Sequence, residues 1–230
     1  MDDPKEHPIL FSAPLVRAIL AGQKTVTRRV VKNFPTSPNG RAVREVVPSL
    51  LAHRGDLFDV RFDLDNPRAI RCPYGAPGDR LWVRETFVWY GKYRCTHPEG
   101  WREADDPKYW KWDGWEPGKI ISVDRCVRYV ADGATPTEPT HEGDYYWRKT
   151  PSIHMPRTFS RITLDVVDVR VERLHAIDDE DAEREGVMTV ESSLPPRARF
   201  AKLWDSINVE RAPWSSDPWV WRVEFKRVTP

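Results

Sequence analysis

Pro8-Ile9-Leu10-Phe11-Ser12-Ala13-Pro14-Leu15-Val16-Arg17-Ala18-Ile19-Leu20-Ala21-Gly22-Gln23-Lys24-Thr25-Val26-Thr27-Arg28-Arg29-Val30-Val31 is the stretch on which the fold turns. Pro8 to Phe11 is an apolar run that suits a buried strand. Ser12 supplies a cap, Pro14 an early helical position and Gly22 a terminator, while Leu15, Val16, Ile19 and Leu20 share one face, so a short helix follows. Lys24 to Val31 is β-branched and polar by turns, which predicts a second strand. No Gly-rich phosphate loop follows a strand anywhere in the chain, and a Rossmann-type nucleotide site has no support.

Outward from this unit, residues 33–54 read as a long loop and Leu57 to Phe62 as a strand. Cys72 to Asp79 forms a turn, with Asp79 ordering it through Asx-type bonds, and Arg80 to Trp89 follows as a single strand. Residues 91–152, crowded with Trp101, Trp110, Trp112 and Trp115 among charged groups, read as an aromatic-rich insertion containing a strand from Lys119 to Val130. Arg161 to Val171 is a clear strand and Asp178 to Glu185 a short helix. Phe200, Leu203, Trp204 and Ile207 mark a further helix at i, i+3, i+4 and i+7, and Trp219 to Val228 is the last strand. About six strands, few short helices and no βαβ alternation predict an α+β fold of a single domain, 1–230, built on a mixed β-barrel with short flanking helices.

With 40% hydrophobic and 11% aromatic residues, the 230-residue chain can bury a sizeable core. No run of about 18 apolar residues is present, and Met1-Asp2-Asp3-Pro4-Lys5-Glu6 is neither a basic nor an apolar leader, so a cytoplasmic protein without membrane association is expected. The net charge of +1 excludes a strong overall positive field, although 26 of the 36 cations are Arg, whose planar fork pairs with phosphate or stacks on a base. Cys72, Cys95 and Cys126 are odd in number and widely spaced, which fits free thiols. Together with His97 they supply four N/S ligands only if the fold gathers them, and no C-x-x-C pair exists; no metal or cofactor is expected.

Four blocks carry a family resemblance: Leu20-Ala21-Gly22-Gln23-Lys24-Thr25-Val26-Thr27-Arg28-Arg29, Gly78-Asp79-Arg80-Leu81-Trp82-Val83-Arg84-Glu85, Ala182-Glu183-Arg184-Glu185-Gly186 and Pro218-Trp219-Val220-Trp221-Arg222-Val223-Glu224-Phe225. In this order they resemble the ASCH family of the PUA-like superfamily. They are similar in particular to phage and prophage members, which also share Ser152-Ile153-His154-Met155-Pro156-Arg157. The resemblance implies a PUA-like barrel and a modified nucleoside or RNA as partner. Family members are variously implicated in RNA binding, RNA cleavage and hydrolysis of the acyl amide of N4-acetylcytidine. In its small amidohydrolases the working groups are the Lys and second Thr of a K-T-x-T segment and a Glu of an A-x-x-E segment. By resemblance these are Lys24, Thr27 and Glu185.

That assignment is chemically coherent. A Thr hydroxyl needs a base, and a Lys serves as one only when desolvation or neighbouring cations lower its pKa, a role open to Arg28 and Arg29. Glu185, at a helix end that disfavours anions, is read as orienting Lys24 or shuttling a proton. Lys24 and Thr27 are three apart, so a regular strand would put them on opposite faces unless Lys24 belongs to the loop after Gly22. Thr25, Arg28, Arg29, Arg84 and Glu85 are expected near substrate, with a buried ion pair as the competing reading for Arg84 and Glu85. Trp110, Trp112 and Trp115 are candidate stacking groups, whereas Trp82, Trp204, Trp219 and Trp221 read as core. The alternative functions are a non-catalytic RNA-binding or regulatory module and a metal-independent ribonuclease. Oligomeric state is not legible.

Overall fold

The computed structural model describes residues 3–35, 43–50, 54–62, 67–95, 110–114, 127–137, 146–187 and 193–228. The fold is mixed α+β, dominated by sheet. Its strands are β1 (Glu6–Leu10), β2 (Val26–Val30), β3 (Glu45–Pro48), β4 (Leu57–Arg61), β5 (Arg68–Arg71), β6 (Arg80–Arg84), β7 (Phe87–Cys95), β8 (Trp110–Gly114), β9 (Val127–Tyr129), β10 (Tyr146–Thr150), β11 (Thr163–Arg173) and β12 (Trp219–Arg227). The α-helices are α1 (Ala13–Leu20), α2 (Asp179–Arg184) and α3 (Pro196–Asn208).

The chain divides into two compact units, one of residues 1–9, 18–83 and 162–230, the other of 10–17 and 84–161. The insertion expected at 91–152 falls inside the second. In the first unit, strands run in the order β1-β6-β11-β12-β2, and β3-β4-β5 form a separate antiparallel sheet. In the second, β7 pairs with β10, β8 and β9. The five-stranded sheet is an open path from β1 to β2, so the expected barrel is not closed among the described strands. No helix of the described residues is long and apolar enough to cross a membrane.

The five-stranded sheet positions a cluster of charged residues along β2 and β12. β12 pairs antiparallel with β2, placing Arg222 opposite Arg28, Val223 opposite Thr27 and Trp221 opposite Arg29. Side chains alternate along a strand, so Arg28 and Arg222 share one face and Thr27, Arg29, Trp221 and Val223 the other. On the Arg28 face, α2 and α3 pack through Leu174, Ile177, Ala182, Phe200, Trp204 and Val220. A register shift between Val166 and Asp168 leaves Val167 half exposed and lets β11 keep Val166 and Val169 buried on either side of it.

Several expectations need correction. β3 lies within the predicted 33–54 loop, and β5 was not anticipated. Arg80 to Trp89 is two strands: Val83 N–H donates to Ile162 O, whereas Thr86 O accepts from Val130 N–H, so the ladder changes partner around Glu85. Ile207 is 58% exposed, because the buried stripe of α3 ends at Trp204. Trp204 and Trp221 are buried as expected, but Trp82 and Trp219 are only half-buried, with Trp219 stacked on Phe34 at 5.0 Å and Arg173 4.6 Å from its ring. Asp79 does order its turn, accepting from Ala76 N–H at 2.9 Å, and also from Lys5 N–H at 2.8 Å and from Arg54.

Candidate functional site: a buried lysine and carboxylate

Lys24 is in the connection between α1 and β2, outside the regular strand. Gly22 at φ 73° closes α1, with Gly22 N–H bonded to Ile19 O and the N–H groups of Gln23 and Lys24 both to Ala18 O. This is the condition under which Lys24 escapes the face alternation of β2. The side chain is 1% exposed, and Nζ donates to Val26 O at 2.7 Å, Glu185 O at 2.8 Å and Glu185 Oε2 at 2.6 Å. Three acceptors match the three N–H groups of an ammonium. Burial pushes Lys24 below its ordinary pKa; the Glu185 carboxylate opposes that shift, and Arg29 and Arg28 add to it.

Glu185 follows α2, whose Asp178 side chain caps it by accepting from Asp181 N–H. An anion at a helix C-terminus is unfavourable, but here Lys24 also donates to the Glu185 carbonyl and brings positive charge to that end. Gly186, at φ 77°, lets the chain turn with Lys24 against it: a Cβ there would meet Ala18 Cβ at 2.8 Å and Lys24 Cβ at 2.9 Å.

Around this pair lies a charge network that the sequence reading missed in part. The Arg28 guanidinium is taken up by Glu172 (Nε to Oε1, 2.8 Å), Asp181 (Nη2 to Oδ2, 2.5 Å) and Glu185 (Nη1 to Oε1, 3.4 Å). Arg222, directly opposite Arg28 and repelled by it, is bound by the same Asp181 at 2.8 and 2.9 Å. Those guanidinium hydrogen bonds outweigh burial and hold the Asp181 carboxyl well below its usual range. Arg184 adds bonds to Thr25 Oγ1, Asp181 and Glu224. The i, i+3 and i+4 spacing of Asp181, Arg184 and Glu185, facing Arg28 and Arg222, is the signal that could have found this network.

The structure thus brings Lys24 and Arg28 each into direct contact with Glu185, with Thr25 tied to Arg184. Thr27 is 3% exposed, on the β2 face that also carries half-buried Arg29. Arg29 interacts with Tyr74, a residue not anticipated, whose hydroxyl is pushed to higher pKa by burial.

Arg84 and Glu85 belong to the other unit. Arg84 donates to Ile153 O, and Glu85, 2% exposed, is gripped by Arg161 at 2.9 and 3.2 Å rather than by Arg84. Burial raises the Glu85 pKa against the pull of Arg161. Trp110 and Trp112 occupy β8, where only the backbone is described, and Trp115, His97 and Cys126 lie outside the described residues. Cys72 is buried, its thiol pushed up to about 12, and behaves as an inert core group. Comparison of the chain with family models, with curated proteins and with solved structures finds no match.

Proposed function

We propose that this chain is an amide hydrolase of the ASCH type that removes the acyl group from N4 of an acylated cytosine, as nucleoside or within RNA, with Lys24, Thr27 and Glu185 at the scissile amide. The PUA-like barrel belongs to the same proposal. The observation that carries the reading is the Lys24–Glu185 contact of 2.6 Å, made by a lysine with 1% side-chain exposure in the connection just before the strand that bears Thr27. A solvated lysine in a loop, the ordinary alternative, is not what the chain contains.

In this mechanism Lys24 passes a proton to Glu185 and becomes a neutral amine, which burial favours. The Thr27 hydroxyl then attacks the acyl carbon while its proton moves to Lys24 Nζ. Arg29, on the face of Thr27, supplies positive charge toward the developing oxyanion. The C–N bond breaks as the N4 leaving group takes a proton from the Lys24–Glu185 pair, releasing the cytosine amine and leaving acyl-Thr27. Water hydrolyses that ester to the carboxylic acid and restores the hydroxyl. No metal or cofactor enters these steps.

The test is chromatographic turnover of N4-acetylcytidine, free and within a short RNA, by the wild type and by Lys24→Ala, Thr27→Ala and Glu185→Gln. Release of cytidine, reduced at least about 100-fold by each change, is expected. Intact substrate on both forms, with RNA retained in a salt-sensitive manner, would instead establish a binding module. The three carboxylates already on Arg28 argue against that residue as a phosphate grip.

A further inference from the structure

The Glu185 carboxylate has two claimants. Oε2 is 2.6 Å from Lys24 Nζ, and Oε1 is 3.4 Å from Arg28 Nη1, so the lysine contact is tight and the arginine contact loose. Arg28 is not free to close that gap. Its Nη2 is held by Asp181 at 2.5 Å and its Nε by Glu172 at 2.8 Å, while Asp181 is fixed from the other side by Arg222 and Arg184. The clamp draws the guanidinium toward Asp181 and Glu172.

We infer that Arg28 is a positioning residue that competes with Lys24 for the Glu185 carboxylate, and that Asp181 decides how strongly it competes. Its consequence for catalysis rests on the amide-hydrolase reading; the competition itself does not. Among the described residues, the charged groups that act on Lys24 include Glu185 from the end of α2 and Arg28 and Arg29 from β2, while α1 and the turn after α2 contribute the uncharged Ala18 and Gly186.

Opposite perturbations therefore have opposite signs. Arg28→Gln deletes a repelling cation and leaves the carboxylate to Lys24, so the ammonium is held more firmly and titrates at higher pH. Asp181→Asn strengthens the uncompensated charge of Arg28 and frees it to approach Glu185, so Lys24 gives up its proton at lower pH. Loosened packing alone would admit water and move both variants upward, because relief of desolvation favours the ammonium. Arg28→Lys keeps the charge without the fork and stays closer to wild type than Arg28→Gln does.

The experiment follows the Lys24 13Cε resonance against pH by NMR in the full-length labelled protein, assigned with Lys24→Met, together with pH–rate profiles on N4-acetylcytidine. Shifts of about one pH unit, upward in Arg28→Gln and downward in Asp181→Asn, are expected, with the rate limb moving in the same directions. Shifts of one sign in both variants, or none, overturn the inference whether or not turnover occurs. Absence of turnover with opposite shifts present retires the hydrolase and leaves the competition standing. If Arg28→Gln does not fold, Asp181→Asn against Arg28→Lys decides: an unmoved or upward Lys24 in Asp181→Asn overturns the inference.

Discussion

Gly186 shows how a residue without a side chain builds a site. Its φ of 77° is costly for any residue with a Cβ, and the space that Cβ would need is held by Ala18 and Lys24. Gly186→Ala is expected to destabilise the protein by at least about 2 kcal/mol, from the left-handed backbone and the displaced lysine together. Chemical denaturation measures that loss. On the amide-hydrolase proposal, turnover of N4-acetylcytidine falls further than the folded fraction does, since the lysine moves with the clash. Lys24 and Glu185 were legible in the sequence only as members of motifs. Their burial was not, because nothing local in Lys24-Thr25 or in Glu185-Gly186 says that a partner 161 residues away completes each of them. Tyr74 was illegible for the same reason.

Among the elements, α2 is six residues long and makes a disproportionate contribution through Asp181, which ties it to β2 and β12 at once. The folded-state pKa of Asp181 lies below the ordinary 3.8. Its contribution to stability is therefore fully present above that ordinary value and is lost as pH falls from there toward the folded-state value. Asp181→Asn should flatten this part of the acid-unfolding curve, followed by circular dichroism between about pH 4 and pH 2. Elements with strong periodicity, α1, β11 and the buried part of α3, were readable from sequence alone. β3 and β5 were not, since each is four residues long and Arg68-Ala69-Ile70-Arg71 shows little apolar surface to mark a strand. The break between β6 and β7 was hidden because alternation continues through Glu85 while the hydrogen-bonding partner changes.

For the molecule as a whole, the two compact units have separate sources of cohesion. In the unit of residues 10–17 and 84–161, Phe87, Val127, Met155 and Phe159 form a core, and Arg161 binds Glu85 and Asp132 while lying 3.9 Å from the Tyr129 ring. Arg161→Met leaves a nearly inaccessible Glu85 without its cation, a loss of about 3–5 kcal/mol. Faster amide exchange is expected in β7 and β9, with β11 and β12 unchanged, and the deficit should shrink as pH falls and Glu85 takes up a proton. Equal acceleration in all four strands would mean that the units unfold together.

The position of β12 between β11 and β2 also has a consequence in time. β2 is synthesised before β12, the neighbour that pairs with it, and Glu185 follows Lys24 by 161 positions. At about 5–20 residues per second, that separation is about 8–32 s of synthesis. Throughout this interval Lys24 has no Glu185 to bind, and an unburied lysine keeps its ordinary positive charge, so the buried ion pair is a late product of synthesis rather than a seed of folding.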